Sequence, residues 1–218
     1  MEIDIRKDVR VDWITIESAT DRHNRMNKLF DTFGFRNTNQ INGEIVDKEN
    51  KEFLEVQQEK NHKVADSHIL SLQQPGQVLI LEDDCWFTNG FDPIIEVPED
   101  ADAIYLGTSV YGMVGRTSTP NGTKIEPFNN KLDKPLNMLG IHAVLYLTEE
   151  YKKRTIENLL SARELNMYCD EPVAIDMQNH NVYSCAFPML YQADGHNDQV
   201  TTTPLRSIQI TGPLGQPV

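Results

Sequence analysis

The stretch Val78-Leu79-Ile80-Leu81-Glu82-Asp83-Asp84 decides how the rest of the chain is interpreted. Its first four residues form a continuous apolar run, which is typical of a strand buried on both faces of a sheet. The run ends abruptly in three carboxylates. Because ligands of open α/β sheets bind outside the carboxyl ends of the strands, we expect this acidic triplet to lie at a binding site.

The segments on both sides of this strand alternate between strand and helix patterns. Strands are predicted at residues 11–16, 78–81, 102–106, 141–147 and 182–186, with a short strand and turn within 41–49. Helices are predicted at residues 21–33, capped by Thr20 or Asp21 and ended by Gly34, and at 52–72, 149–162 and 170–179. The order predicts an α/β fold in which helices flank a mixed, mainly parallel sheet.

Residues 108–134 are rich in Gly, Pro, Asn and Thr, and they predict a long loop or a β-excursion. Loops of this length inside compact domains are often functional lids. The chain has 218 residues, no internal repeat and no linker that would divide it. A single domain is therefore expected.

The charge balance limits the classes of partner. The net charge is -13, and the Lys and Arg residues are scattered. A protein that grips a nucleic-acid backbone needs a basic surface, so nucleic acid is not expected as a partner. An anionic membrane surface is disfavoured for the same reason. A nucleotide can still bind if a divalent cation bridges protein carboxylates and phosphates.

The chain carries no pattern typical of secretion or membrane insertion. The three cysteines, Cys85, Cys169 and Cys185, are odd in number and widely spaced, which suits a reducing compartment. The first residues lack the basic start and apolar run of a signal peptide, and no apolar stretch reaches the length of a membrane span. A cytoplasmic location is expected.

The acidic triplet itself favours a metal site. Adjacent carboxylates repel one another, and a divalent cation is the simplest compensation. Mg²⁺ and Mn²⁺ prefer carboxylate oxygens, and they leave positions open for substrate phosphates. A solvated turn would also fit three acidic residues, although Trp86 and Phe87 follow the triplet directly.

The segment from Val78 to Phe87 resembles the Leu-Glu-Asp-Asp strand of glycosyltransferase family 25, which includes lipopolysaccharide sugar transferases and procollagen galactosyltransferases. Four further segments resemble the family in the right order: Ile14-Thr15-Ile16 with Asp21-Arg22 and Arg25-Met26, then Ser67-His68, Gly140 to Tyr146, and Asp170-Glu171-Pro172. The chain departs from the family at Glu17 to Thr20, where the family often has Asn-Leu and paired arginines. Some viral and phage enzymes of this size are similar as well.

The resemblance spans roughly residues 11–195 and implies a GT-A fold. The domain is expected to cover residues 1–210, and the residues at 211–218 are expected to form an irregular tail. The resemblance further implies a nucleoside-diphosphate-sugar donor, with a UDP-hexose favoured, and Mn²⁺ or Mg²⁺ as the cofactor. The acceptor would be a hydroxyl group on a glycan or glycoprotein, and the expected outcome at the sugar carbon is inversion.

The same resemblance suggests which residues hold the donor and the cation. Asp84 is the first candidate metal ligand and Glu82 the second, and His196 stands where such enzymes often complete the metal shell. The alternative for His196 is that it lies in a solvated polar loop and binds no metal. Donor binding is assigned to Ile16, Arg22, Arg25, Glu82 and Asp83, where Asp83 would bond the ribose. An exposed helix face with ordinary ion pairs is the alternative for the two arginines.

The candidate base that takes the proton of the acceptor hydroxyl is Asp170, with Glu171 as the alternative. Asp170 could equally be the N-cap of the helix that follows it, which would lower its pKa and weaken it as a base. Asp176 is a further candidate that is expected to face solvent.

Three other functions are alternatives to sugar transfer. A nucleotidyltransferase usually has a Gly-rich, basic phosphate loop after its first strand, and residues 14–25 contain no glycine. A non-catalytic sugar-binding or protein-binding module would keep the fold, but its acidic triplet is commonly lost. A haloacid-type phosphatase needs Asp-x-Asp after the first strand, where this chain has only Glu17.

Overall fold

The structure, a computed structural model, describes residues 1–46, 49, 51–88 and 90–192. The strands in chain order are β1 (Glu2–Asp4), β2 (Arg10–Ile16), β3 (Thr38–Gly43), β4 (Val78–Glu82), β5 (Cys85–Phe87), β6 (Ile94–Glu96), β7 (Ala103–Tyr105), β8 (Gly112–Val114), β9 (Thr117–Thr119), β10 (Ile125–Pro127), β11 (Leu132–Pro135), β12 (Ala143–Tyr146), β13 (Val182–Cys185) and β14 (Leu190–Gln192). The helices are α1 (Thr20–Phe33), α2 (Phe53–Leu72), α3 (Glu149–Leu165) and α4 (Glu171–Asp176), which a 3-10 turn at Met177–Asn179 continues.

The main sheet has eight strands in the order β10-β11-β13-β7-β12-β4-β2-β3. β2 pairs in parallel with β3 and β4, and β13 pairs in parallel with β7. β12 is antiparallel to both of its neighbours, and so is β11. Only these two strands oppose the direction shared by the other described strands of this sheet, so the predicted mixed, mainly parallel sheet is confirmed.

The helices cover both faces of the sheet because its central strands are apolar on both sides. On β4, Leu79 and Leu81 pack in one core cluster with the buried face of α1. Val78 and Ile80 pack in a second cluster with α2 and α3. Burying a side chain of this size stabilises the fold by roughly 1.5–3 kcal/mol. Since strand side chains alternate, Glu82 continues the α2 side.

The first helix starts and ends by different means. Gly34 ends it with a φ of 76°, in the left-handed conformation, as the sequence predicts. The predicted N-cap at Thr20 or Asp21 is wrong, since Ala19 is the N-cap and makes no side-chain capping bond. The amide of Ala19 donates to the carbonyl oxygen of Ile16 at 2.9 Å. This tight turn lets the helix begin at Thr20.

Most other predicted elements are present with small shifts. The strand predicted within 41–49 instead spans Thr38–Gly43, and the helix predicted at 170–179 is α4 with its 3-10 turn. Residues 108–134 form a β-excursion, in which β8 and β9 pair as a hairpin and β10 pairs with β11. A lid function for this excursion stays a prediction.

The sequence did not predict the short strands β1, β5, β6 and β14. Each has three residues, which is too short to show a period. No helix in the described ranges is both long and apolar enough to cross a bilayer. His196, the tail at 211–218 and the predicted domain boundary lie outside the described residues.

Candidate functional site

The acidic triplet is fixed at the carboxyl end of β4 by the main chains of both neighbouring strands. The amide of Glu82 donates to the carbonyl oxygen of His142 at 2.9 Å, and the amide of Asp83 donates to that of Ile14 at 2.9 Å. β12 begins one residue after His142, and β2 includes Ile14. The triplet therefore lies at the end of the sheet where the sequence predicts a ligand.

Glu82 and Asp84 converge on one side chain, Gln192 at the end of β14. Gln192 Nε2 donates to Glu82 Oε2 at 3.1 Å and to Asp84 Oδ2 at 3.0 Å. The other oxygen of Glu82 lies 3.2 Å from His68 Nε2, on the fully buried ring of a histidine in α2. The two carboxylates that were predicted to hold a cation are thus brought together.

Asp84 is a buried carboxylate with incomplete compensation. The residue is only 6% exposed, and its Oδ1 atom is buried without a hydrogen-bond partner among the described residues. Burial, together with the nearby charges of Glu82 and Asp83, raises the pKa of Asp84 to about 8, although the hydrogen bond from Gln192 lowers it. A buried acceptor of this kind is costly unless a positive group compensates it.

The described residues contain no group of three or more His, Cys, Asp or Glu side chains arranged to hold a metal. They offer two carboxylates, Glu82 and Asp84, and the amide of Gln192 between them. His196 would be the third ligand of the predicted set, and it lies outside the described ranges. Its role stays a prediction.

Asp83 points to the opposite side of the strand end and is held by protein donors. Its Oδ2 accepts from Thr15 Oγ1 at 2.5 Å, and its Oδ1 accepts from Arg22 Nη1 at 2.7 Å. Its carbonyl oxygen accepts from Arg25 Nη2 at 2.5 Å. Arg22 and Arg25 therefore gather at the end of β4, on the α1 side of the sheet.

The aromatic residue after the triplet contributes to this arrangement. The guanidinium of Arg25 lies over the ring of Trp86, 5.2 Å from its centroid, in a cation–π geometry. Ile16, the last residue of β2, is 38% exposed. The roles of these residues in donor binding stay predictions.

Asp170 stands at the N-cap position of α4, but it makes no capping bond. Its Oδ2 accepts instead from the amide of Gly140, which precedes β12, at 2.7 Å. Burial raises the pKa of Asp170 to about 6, with further contributions from the charges of Glu171 and Glu82. The alternative that capping lowers this pKa is therefore wrong. The charge of Glu82 reaches Asp170, so the two candidate groups share one electrostatic environment.

The two other carboxylates considered for the base have different surroundings. Glu171 accepts from the amide of Tyr168 at 3.2 Å, and partial burial raises its pKa. Asp176 was expected to face solvent, which is wrong, since only 6% of it is exposed. Arg154, Asn158 and Asn179 all donate to its carboxylate. This bonding fastens α4 to α3 and leaves Asp176 a structural residue.

His142 fills the space between the ends of β7 and β12. The residue is 3% exposed, and its main-chain oxygen accepts from Cys85 Sγ at 3.0 Å and from the Glu82 amide. A Cβ atom on Gly107 would lie 2.2 Å from His142 Nε2. A buried ring, and not a flexible chain end, thus requires glycine at position 107.

We expect Gly107→Ala to destabilise the protein by about 1–3 kcal/mol, because the new methyl group overpacks a buried site. Gly90→Ala is the control, since its Cβ would meet only Thr88 Oγ1, at an ordinary 3.5 Å. Urea unfolding of the two variants measures the difference. Equal midpoints for both would show that the His142 ring moves aside without cost.

Gln192 is the site residue that the sequence did not reveal. It is the last residue of a three-residue strand, β14, and no local motif marks it. The antiparallel pairing of β14 with β5 places it opposite Cys85, next to the triplet. His68, which the Ser67-His68 pair singled out, is the donor on the other oxygen of Glu82.

No protein-family model and no curated protein matches this sequence, so membership of glycosyltransferase family 25 stays a prediction. Among solved structures the chain is similar to CTP:phosphocholine cytidylyltransferase from Streptococcus pneumoniae, at 12% identity and TM-score 0.45, over 87% of this chain and 95% of that one. It is similar to a glycosyltransferase involved in the glycosylation of the major capsid of PBCV-1, at 7% identity and TM-score 0.34, over 68% of this chain and 65% of that one. A nucleoside-diphosphate-sugar pyrophosphorylase from Vibrio cholerae RC9 is similar at 9% identity and TM-score 0.38, over 79% of this chain and 70% of that one. These distant likenesses span different activities, and the function is therefore argued from the site of this chain.

Proposed function

We propose that this chain is a glycosyltransferase with a GT-A fold, which moves a sugar from a nucleoside-diphosphate sugar to a hydroxyl acceptor. The favoured donor is a UDP-hexose, and the favoured acceptor is a glycan or glycoprotein. The observation that carries the proposal is the buried carboxylate pair, Glu82 and Asp84, at the end of β4, with a third carboxyl, Asp170, bound to Gly140 just before the neighbouring strand β12.

The carboxylate pair fits a divalent cation such as Mn²⁺ or Mg²⁺. The buried Oδ1 of Asp84 lacks a described partner, and hard cations bind carboxylate oxygens. Glu82 and Asp84 would hold the cation. When bound, it would neutralise charge on the leaving diphosphate as a Lewis acid. His68 keeps Glu82 oriented for this purpose.

Asp170 would act as the general base of an inverting displacement. The acceptor oxygen forms a bond to the sugar carbon, the bond from that carbon to the diphosphate oxygen breaks, and the hydroxyl proton moves to Asp170. A base is most effective when its pKa lies near the working pH, and the pKa of Asp170 is about 6. The Gly140 amide holds one of its oxygens and so fixes the carboxyl group.

Arg22 and Arg25 would position the donor. Both guanidinium groups are anchored by Asp83, and the side chain of Arg22 is still 39% exposed. An anchored guanidinium has lost part of its freedom before a ligand arrives, which lowers the cost of binding. We therefore assign to Asp83 the orientation of these arginines as well as a contact with the ribose.

Nucleotidyl transfer is the alternative that the same cation site could serve. The connection between β2 and α1 speaks against it, because only Glu17, Ser18 and Ala19 join the two elements and none of them is glycine. A phosphate loop of the nucleotidyltransferase kind needs glycine and more length.

The products distinguish these functions. The purified chain is incubated with Mn²⁺ and a set of nucleoside-diphosphate sugars, and we expect release of a nucleoside diphosphate. In parallel, the chain receives nucleoside triphosphates with sugar phosphates, where pyrophosphate would be released by a nucleotidyltransferase. Asp66→Asn, which changes a half-buried carboxylate of α2 that pairs with Arg163 of α3, is a control that should keep full activity. Pyrophosphate release without diphosphate release would overturn the proposal.

A further inference from the structure

Gln192 is placed in the candidate cation site by strand pairing. It is 6% exposed and ends β14, in which Leu190 and Tyr191 are buried too. The register of β14 on β5 sets Gln192 opposite Cys85, the residue directly after Asp84. Its side chain is thus held by a buried ladder and not by a loop.

Its amide nitrogen takes a place between two acidic groups. Nε2 lies 3.1 Å from Glu82 Oε2 and 3.0 Å from Asp84 Oδ2, so a single donor group serves both carboxylates. His68 takes the other oxygen of Glu82, and the remaining oxygen of Asp84 is buried without a described partner. Gln192 Nε2 is therefore a bridging donor for this pair, and it carries no full charge.

A primary amide has two chemically different ends of nearly the same shape. The nitrogen end donates two hydrogen bonds, and the oxygen end accepts them. Hard cations take amide oxygens as ligands together with carboxylates. A half-turn about the last side-chain torsion exchanges the two ends with little change in packing, because that torsion is broad and roughly two-fold.

We propose that Gln192 is a ligand of the cation site that works in two orientations. Without a cation its nitrogen bridges Glu82 and Asp84, and with a cation its amide turns to present Oε1 as a third oxygen ligand. The inference rests on the cation of the proposed function. It gives that site a ligand from the described residues that neither the acidic triplet nor its neighbours in sequence would indicate.

The test measures Mn²⁺ binding directly, by the loss of the electron paramagnetic resonance signal of free Mn²⁺ on titration with the full chain. We expect Gln192→Leu to weaken Mn²⁺ binding tenfold or more, because leucine is similar in size to glutamine but has no oxygen that could bind the cation. Gln192→Glu should bind Mn²⁺ at least tenfold more tightly, because affinity follows the number of charged ligands. Without cation the Glu variant should melt at a lower temperature than the wild type.

Controls and outcomes separate this inference from the proposed function. Gln178→Leu, which changes an exposed glutamine of the 3-10 turn, should bind Mn²⁺ as the wild type does. Wild-type affinity in Gln192→Leu, or unchanged affinity in Gln192→Glu if the Leu variant does not fold, would overturn the ligand role and leave the cation site intact. Absence of Mn²⁺ binding by the wild type, with and without a nucleoside diphosphate, would overturn the cation site itself.

Discussion

Asp84→Asn is expected to stabilise the cation-free protein and, in the same variant, to remove most of its metal-dependent activity. The carboxylate of Asp84 is buried beside Glu82, and its Oδ1 has no described partner. An amide of the same shape removes the repulsion between the two carboxylates, which raises the free energy of unfolding. It also removes the strongest candidate ligand, so the rate should fall by about a thousandfold, equivalent to about 4 kcal/mol.

The stability gain should depend on pH in a defined direction. The pKa of Asp84 is about 8 in the folded protein, against 3.8 for an unperturbed group. Between these values the folded state keeps a proton that the unfolded chain releases, so the wild type loses stability as the pH rises from about 4 to about 8. The variant lacks this loss. The difference in the free energy of unfolding between the variant and the wild type should therefore be absent near pH 4 and largest near pH 8.

The measurement is thermal unfolding in a chelator from pH 4 to pH 8, followed by melting in Mn²⁺ and a rate assay at pH 8. A bound cation stabilises the folded state by mass action, so the wild type should gain melting temperature in Mn²⁺ and the variant should not. Asp66→Asn, which weakens only the ion pair with Arg163, should depend on pH and respond to Mn²⁺ as the wild type does. A destabilised variant with an intact response to Mn²⁺ would contradict the assignment of Asp84 as a ligand.

Asp170→Asn is expected to lower the rate of sugar transfer by about 10²–10⁴-fold, the usual contribution of a general base. The asparagine can still accept from the Gly140 amide at the position of Oδ2, so the fold should persist. Mn²⁺ binding should be nearly unchanged, because Glu82 and Asp84 are untouched. The comparison of rate and binding thus separates the base from the cation site.

The pH profile provides an independent readout for the same residue. The base must be deprotonated to accept a proton, and the pKa of Asp170 is about 6. The wild-type rate should therefore rise as the pH increases through about 6, and it should fall about tenfold for each pH unit below that value. The residual activity of Asp170→Asn should not show this decrease below pH 6.

Two further variants complete the test. Glu150→Gln, in the first turn of α3, changes an exposed carboxylate at the opposite edge of the sheet and should keep the wild-type rate. Glu171→Gln examines the alternative base. If Glu171→Gln removed the activity and Asp170→Asn kept it, the base would be Glu171, and the raised pKa of Asp170 would be a consequence of burial alone.

Much of the fold could be predicted because its signals are local. The apolar run before Glu82 indicates a buried central strand, and β4 is one. Gly34 ends α1 because a left-handed residue is needed there and glycine adopts it without strain. The prediction failed at the N-cap of α1 and at the shortest strands, since a turn of three residues and a strand of three residues leave no periodic pattern.

In the candidate site, too, the features that depend on neighbouring residues could be predicted and those that depend on strand pairing could not. The sequence by itself determined that three carboxylates end a buried strand and that Asp170 begins a helix, because both follow from neighbouring residues. Only the tertiary structure decided that Gln192 bridges Glu82 and Asp84, residues separated from it by 110 and 108 positions. It likewise decided that the Gly140 amide, and not the helix, binds Asp170. Such contacts depend on which strands pair and in what register, and burial then shifts the pKa values that set the chemistry of the site.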